Sequence, residues 1–171
     1  MMEQAHILLV EDELFLAQVV ADSLEQQGYQ VTHTADGQQA LKLYGSHHFS
    51  LCIVDVMLPG IDGFTLVEQI RQVNTVIPIL FVTARAATKD LIEGYRSGGN
   101  DYLKKPFSLE ELFLRIQKLL KRSYAATVGL ADSVFIGRYT FIAHQQSLQL
   151  PNQSIIRLSH RETQLLQLLY V

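Results

Sequence analysis

Short apolar segments alternate with longer segments of helical periodicity along most of the chain. The apolar segments cover residues 6–10, 30–35, 51–56 and 78–82, with a short fifth one around Tyr102. Apolar residues recur at helical spacing in the segments that follow, at 14–27, 37–45, 63–73, 88–97 and 109–122. Five βα units in succession predict an α/β fold, a doubly wound parallel sheet with helices on both faces.

The predicted carboxyl edge of the sheet collects charged side chains. Asp55 interrupts an otherwise apolar segment at 52–58, and a carboxylate there is costly unless it is paired or binds a metal. Glu11 and Asp12 follow the first strand, and Lys105 follows the fifth. A structural ion pair between Lys105 and Asp55 is one explanation, and a solvated loop or helix cap is another for Glu11 and Asp12. Three carboxylates are better offset by a hard cation such as Mg²⁺.

Four stretches carry a family resemblance: 9–13 (LVEDE), 54–63 (VDVMLPGIDG), 82–85 (VTAR) and 101–107 (DYLKKPF). In this order, at strand ends, they make residues 5–122 resemble a response-regulator receiver domain. The resemblance implies a flavodoxin-like (βα)5 sheet, Asp55 as the phosphoacceptor and a sensor histidine kinase as the phosphoryl donor.

The resemblance also implies a role for each pocket residue. Asp12 and Asp55 would bind Mg²⁺ through their side chains and Met57 through its backbone carbonyl. Glu11 would act through a bound water, or would contact these ligands without binding the metal itself. Lys105 would pair with Asp55 at rest and then with a phosphate oxygen. The bond from Lys105 to Pro106 is expected to be cis, and Lys104 is expected to face solvent.

Thr83 and Tyr102 match the family's switch pair. The Thr83 hydroxyl would donate to the phosphoryl group and move inward, and Tyr102 would then rotate from outside to inside. The alternatives are a strand-end cap for Thr83 and ordinary packing for Tyr102. Met57 and Arg85, two positions beyond Asp55 and Thr83, are expected to influence the lifetime of the phosphate.

The sequence most resembles the OmpR/PhoB subclass, in which the face formed by the fourth helix, fifth strand and fifth helix makes a two-fold homodimer. Asp101 and Arg115 match one of the charged pairs of that dimer. Glu111 and Arg122 match single partners of two others. The mates expected for them are replaced, by Leu91 in place of a basic residue and by Asn100 in place of an acid. Leu91 would add an apolar contact instead.

The segment after residue 122 has a different character. Residues 123–133 have the composition of a linker, and 135–142, 148–150 and 155–158 have strand-like patterns. Ser159 and Glu162 have capping-box spacing ahead of a leucine-rich helix. Residues 134–171 resemble the opening of a winged-helix DNA-binding domain that we expect to be incomplete, so DNA binding is expected only of a complete parent protein.

Composition limits the remaining possibilities. A net charge of −3 argues against a dominant nucleic-acid-binding surface. The single cysteine, Cys52, is expected in the core, and the six histidines on the surface or in packing. No signal peptide or membrane span is predicted, so we expect a cytoplasmic protein. No catalytic triad or glycine-rich phosphate loop is recognised, so we expect no enzyme. A receiver that acts only through protein contacts, as a relay or sequestering module, is the alternative function.

Overall fold

The structure, a computed structural model, describes residues 4–85, 87–127, 133–142, 146–151, 154–159, 162 and 165–166. The chain divides into two compact units, one ending at Lys121 and the other beginning at Arg122. Within the described residues, no helix combines the length and the apolar character needed to cross a membrane.

The first unit is built around a five-stranded parallel sheet in the order β2-β1-β3-β4-β5. This is the flavodoxin-like order, and it confirms the predicted fold class. The strands are β1 His6–Val10, β2 Gln30–Thr34, β3 Leu51–Val54, β4 Ile79–Thr83 and β5 Asp101–Lys104. The helices are α1 Leu14–Gln26, α2 Gly37–Ser46, α3 Gly63–Val73, α4 Thr88–Arg96 and α5 Leu109–Thr127.

The core forms two layers because successive side chains of a strand point to opposite faces of the sheet. Leu8 and Val10 of β1 belong to one layer, which also contains Cys52 and side chains of α3. Ile7 and Leu9 belong to the other, which contains side chains of α1 and α5. The central strands are therefore buried on both faces, as near-continuous apolar strands of a parallel sheet should be. Burial raises the pKa of the Cys52 thiol to about 12.

Two glycines meet backbone requirements that a larger residue would not satisfy. Gly28 follows α1 with a φ of +87°, as expected of a residue that ends a helix. Gly63 begins α3, and a Cβ atom there would overlap the carbonyl oxygen of Asp55 and approach the Cα of Val56 to 2.8 Å. Asp62 caps the same helix by accepting a hydrogen bond of 2.8 Å from the Thr65 N–H. The turn between β3 and α3 is thus packed closely against the residue that ends β3.

Helix α5 and strand β3 differ in length from their predictions. The predicted helix ends at residue 122, whereas α5 continues to Thr127 and takes in the first five residues of the predicted linker. Residues 123–127 (SYAAT) contain neither glycine nor proline, so nothing in them stops a helix. The rest of that linker, apart from Ser133, lies outside the described residues. Strand β3 ends at Val54, so Asp55 is the first residue beyond it.

The second unit contains a four-stranded antiparallel sheet of β6 Ser133–Ile136, β7 Tyr139–Ile142, β8 Ser147–Gln149 and β9 Ile155–Arg157. The prediction of one strand over 135–142 was wrong. Gly137, with a φ of +62°, and Arg138 form a two-residue turn that folds this segment into a hairpin.

The predicted capping box is present in the second unit. The Ser159 N–H donates to Glu162 Oε2 over 2.7 Å, and the Glu162 N–H lies 3.4 Å from Ser159 Oγ. Of the leucine-rich helix that follows, the described residues are Leu165 and Leu166.

Candidate functional site

The sheet brings the predicted acidic residues together at its carboxyl edge. Strands β1 and β3 are neighbours, so Glu11 and Asp55, the residues that follow them, lie side by side. The Asp55 N–H donates to the Val10 carbonyl over 2.9 Å, which extends the strand pairing by one residue. Glu11 is 3% exposed and Asp55 5%, whereas Asp12 is open to solvent. One carboxylate oxygen from each of the three residues lies within 4.8 Å of the others.

Lys105 places its ammonium group between two of these carboxylates. Its Nζ lies 2.7 Å from Asp55 Oδ2, as predicted, and also 2.8 Å from Glu11 Oε1 and 2.7 Å from Oε2. The pairing with Glu11 was not predicted. The Lys105 N–H donates to the Thr83 carbonyl over 2.9 Å, and the peptide bond to Pro106 is cis, as expected. Lys104 is exposed, in agreement with its predicted orientation.

The ionisation of this cluster reflects burial and mutual attraction. Burial raises the pKa of Glu11, and the hydrogen bond and charge of Lys105 only partly oppose it. For Lys105, burial lowers the pKa, but the hydrogen bonds and charges of Asp55 and Glu11 together outweigh burial and raise it. Lys105 is therefore a cation at neutral pH. One lysine balances at most one of the three carboxylates, which leaves the pocket suited to a further cation.

The carboxylate of Asp55 is held in one orientation. Its Oδ1 accepts a hydrogen bond of 2.9 Å from the Met57 N–H, and its Oδ2 contacts Lys105. A carboxylate that is held through both of its oxygens has a fixed orientation, so it is positioned for reaction before a substrate binds. The Met57 side chain is exposed to solvent.

Thr83 and Tyr102 are both buried beside the acidic edge and are joined through Arg85. The Arg85 N–H donates to Thr83 Oγ1 over 3.3 Å, and the Tyr102 hydroxyl donates to the Arg85 carbonyl over 2.6 Å. The ring of Tyr102 packs 5.9 Å from that of Phe81, and the residue is 8% exposed. Tyr102 therefore occupies the inner of the two positions expected for it. Burial raises the pKa of its hydroxyl to about 12.

Two further contacts near the site were not predicted. The guanidinium group of Arg85 lies 2.7 Å from the buried carboxylate of Asp90 and 5.7 Å from the ring centre of Phe64. His33 on β2 contacts the Glu11 carbonyl through Nε2 at 2.8 Å. A signal for the first contact was available, because an acid in the first turn of a helix is a common cap and Arg85 lies just before α4. No pattern in the sequence indicated the second.

The predicted dimer face forms a charged network within the chain. Arg115 contacts both carboxylate oxygens of Asp101 at 2.9 Å and Glu111 at 2.8 Å. Asn100 Oδ1 accepts from Ile79 N–H at 2.8 Å and from Arg71 at 2.9 Å, so its acceptor is used locally.

Leu91, the other departure from the family's pairs, lies partly buried against the core. The apolar contact predicted for Leu91 in a dimer stays a prediction. Arg122 is exposed.

The oxygen-rich edge has the ligand type that Mg²⁺ prefers, since Mg²⁺ usually takes one or two carboxylates and keeps several waters. Asp12 is exposed and Asp55 buried, which would leave part of a bound ion's coordination open to water or phosphate. These residues could therefore hold Mg²⁺.

Comparison with known proteins agrees with this geometry. Residues 7–117 match the response regulator receiver domain family. The chain is 37% identical to the transcriptional regulatory protein RprY of Bacteroides fragilis over 98% of this chain and 70% of RprY. It is 39% identical to the uncharacterized transcriptional regulatory protein YkoG of Bacillus subtilis, over 74% of this chain and 55% of YkoG.

A solved structure agrees as well. The receiver domain of the Francisella response regulator 1452 has 34% sequence identity and a TM-score of 0.67, over 70% of this chain and 99% of that one. The fold, the acidic edge and these matches lead to one conclusion: the chain belongs to the response regulator receiver family of two-component signalling proteins.

Proposed function

We propose that Asp55 is the phosphoacceptor of this receiver. The observation that carries the proposal is the setting of its carboxylate, which is buried at the carboxyl edge and held by the Met57 N–H and by Lys105. An oxygen of Asp55 would form a bond to phosphorus while the bond from phosphorus to the donor breaks. The donor in the cell would be a phosphohistidine of a sensor kinase, and the protein would act as a switch, without an enzymatic activity of its own.

Asp12, Asp55 and the Met57 carbonyl would hold Mg²⁺, with Glu11 contributing through water. The metal would offset the negative charge on the phosphoryl oxygens during in-line transfer. The 4.8 Å grouping of oxygens from Glu11, Asp12 and Asp55 supports this assignment. Titration calorimetry should show that Asp12→Asn and Asp55→Asn weaken Mg²⁺ binding. Asp22→Asn, an exposed change on α1, should leave the binding unchanged.

Lys105 and Thr83 would receive the phosphoryl group. Lys105 already contacts Asp55 and could follow a phosphate oxygen, because its charge-assisted hydrogen bonds do not depend on one acceptor. Thr83 Oγ1 accepts from the Arg85 N–H, so its own proton remains available for donation. Movement of Thr83 would be passed to Tyr102 through Arg85, which contacts both residues.

Release of a radioactive phosphoryl label by hydroxylamine would distinguish an acyl phosphate from other adducts. Treatment with radiolabelled acetyl phosphate and Mg²⁺ should label the protein, and hydroxylamine should release the label. Asp55→Asn should abolish it. Asp62→Asn is the matched control, because Asp62 lies in the same turn and asparagine caps a helix as well as aspartate does. Equal labelling of wild type and Asp55→Asn would refute the assignment.

We also propose that phosphorylation controls a homodimer through α4, β5 and α5 and that the parent protein is a DNA-binding regulator of the OmpR/PhoB subclass. The network of Asp101, Arg115 and Glu111 supplies charges that could exchange between two copies. Arg122 is exposed on the same helix as Arg115. Exposed pairs are worth about 0–1 kcal/mol each, so a weak dimer is expected. Sedimentation with and without acetyl phosphate tests this, with Arg115→Ala expected to weaken the phosphate-dependent dimer.

Residues 134–171 would form the opening of the winged-helix domain, following a linker. The antiparallel sheet of β6 to β9 and the capping box at Ser159 support this part of the proposal. The relatives bear names of transcriptional regulatory proteins, which supports the same output. We further propose a cytoplasmic location, where a sensor kinase could reach the acidic edge.

A further inference from the structure

Two histidines meet at the edge of the sheet opposite the acidic site. His6 is the first residue of β1, and His47 directly follows α2. Their ring centres are 6.4 Å apart with the planes at 87°. Phe49 packs against both rings, at 4.5 Å from His6 and 6.0 Å from His47. The two imidazoles are therefore held near each other by an aromatic neighbour at the amino edge of the sheet.

One nitrogen of each imidazole is already engaged. His6 Nε2 contacts Thr32 Oγ1 at 2.8 Å. His47 Nδ1 lies 3.2 Å from the Leu43 carbonyl and 3.0 Å from Ser46 Oγ. Within the described parts of the chain, His6 Nδ1 and His47 Nε2 have no hydrogen-bond partner. A hydrogen bond on one nitrogen that leaves the other free is the usual setting of a metal-binding histidine.

The surroundings favour a cation. A cavity of about 250 Å³ opens beside His47 and is also lined by His48. Apart from its two histidines, none of the described residues that line the cavity is charged at neutral pH. The carboxyl ends of α2 and α3 both reach this cavity, and the carboxyl end of a helix carries a partial negative charge.

We propose that His6 Nδ1 and His47 Nε2 bind a divalent transition metal such as Zn²⁺ or Ni²⁺, with water completing the coordination. A tetrahedral metal about 2.1 Å from one nitrogen of each ring places the ring centres roughly 5 Å apart. The two rings, 6.4 Å apart here, would therefore have to approach each other by about 1 Å through side-chain rotation. Imidazole suits these metals, whereas the oxygen ligands at the opposite edge suit Mg²⁺. The two edges would select different ions.

Titration calorimetry with Zn²⁺ tests the proposal on the full chain without an affinity tag, in excess Mg²⁺ so that the acidic site is occupied. One equivalent of Zn²⁺ should bind, and His6→Ala and His47→Ala should each weaken binding at least about tenfold. His33→Ala is the matched control, since His33 lies at the acidic edge, and it should bind Zn²⁺ as wild type does. No binding, or binding that both alanine variants retain, would overturn the proposal.

X-ray absorption at the zinc edge of the wild-type complex provides a measurement that does not depend on the folding of a variant. At least two imidazole ligands are expected. A coordination shell of oxygen alone would contradict the site, even if Zn²⁺ binds with one-to-one stoichiometry.

Discussion

Replacing Lys105 by methionine should destabilise the protein strongly at neutral pH. Lys105 is the cation that contacts the carboxylates of both Glu11 and Asp55, which are 3% and 5% exposed. Its loss leaves two neighbouring buried carboxylates uncompensated. Breaking a buried ion pair by removing one partner typically costs about 3–5 kcal/mol.

Protonation sets an upper limit on this cost. A carboxyl with an ordinary pKa of 4.5 needs about 4 kcal/mol to be protonated at a pH three units higher. The variant can escape repulsion by protonating Glu11, whose pKa burial already raises. The expected loss at about pH 7.5 is therefore roughly 3–4 kcal/mol, and at about pH 5.5 the same limit falls to roughly 1.4 kcal/mol.

The sign of this pH dependence follows from the direction in which folding shifts the pKa of the carboxyl. In the variant the folded-state pKa of the carboxyl lies above its unfolded value, so the penalty is absent below pH 4.5 and grows as the pH rises toward the folded-state pKa. Urea unfolding at about pH 5.5 and 7.5, in EDTA and in Mg²⁺, measures this loss in the free energy of unfolding. If Mg²⁺ binds at these carboxylates, it should stabilise the variant more than the wild type, by RT ln(1 + [Mg²⁺]/Kd).

Lys104→Met is the control, because the neighbouring lysine is exposed and should change the free energy of unfolding by less than about 0.5 kcal/mol. A Lys105→Met variant as stable as the wild type at both pH values would refute the electrostatic account of the pocket.

Three further predictions concern the switch and the packing that supports it. The Tyr102 hydroxyl should ionise near pH 12, at a higher pH than an ordinary tyrosine. Because folding favours its neutral form, its contribution to the free energy of unfolding should be complete below about pH 10 and lost as the pH rises through 12. Tyr102→Phe should remove this ionisation step from an ultraviolet titration. Gly63→Ala should destabilise the fold by about 2 kcal/mol or more, because the added Cβ meets backbone atoms. Gly45→Ala has open space around it in α2 and should stabilise the fold by about 0.5–1 kcal/mol, and thermal unfolding measures both effects. Leu24→Ala should cost about 2–5 kcal/mol because the side chain is fully buried, and Phe15→Ala, at an 80% exposed position, should cost less than about 0.5 kcal/mol; equal losses would contradict the burial assigned to α1.

The order of the elements and the convergence at the acidic edge could be predicted from the sequence. Parallel strands align their carboxyl ends, so locating Asp55 and Glu11 at strand ends was sufficient to place them together. Burial on both faces explains why β1, β3 and β4 are recognisable as near-continuous apolar segments. These features depend on periodicity and topology, which a single sequence carries.

The pairings between side chains could not be predicted in the same way. Glu11 and Lys105 are 94 positions apart, and their contact depends on how each backbone leaves its strand. Asn100 illustrates the point: it was identified as a departure from the family's charged pairs, but its hydrogen bonds to Arg71 and the Ile79 N–H become visible only in three dimensions. The same holds for Leu91, whose apolar side chain turns toward the core.

Element boundaries failed where local signals were weak or ambiguous. Alternation continues through Gly137, so periodicity alone suggested one strand where the chain turns back. Helix α5 extends because neither glycine nor proline stops it before Thr127.

Intact mass spectrometry of the full chain after incubation with acetyl phosphate, with and without Mg²⁺, tests whether Asp55 is the phosphoacceptor and whether its reaction depends on Mg²⁺. We expect addition of a single phosphoryl group that requires Mg²⁺ and is lost in Asp55→Asn. Absence of any addition in folded wild-type protein, or an equal addition in the variant, would contradict it.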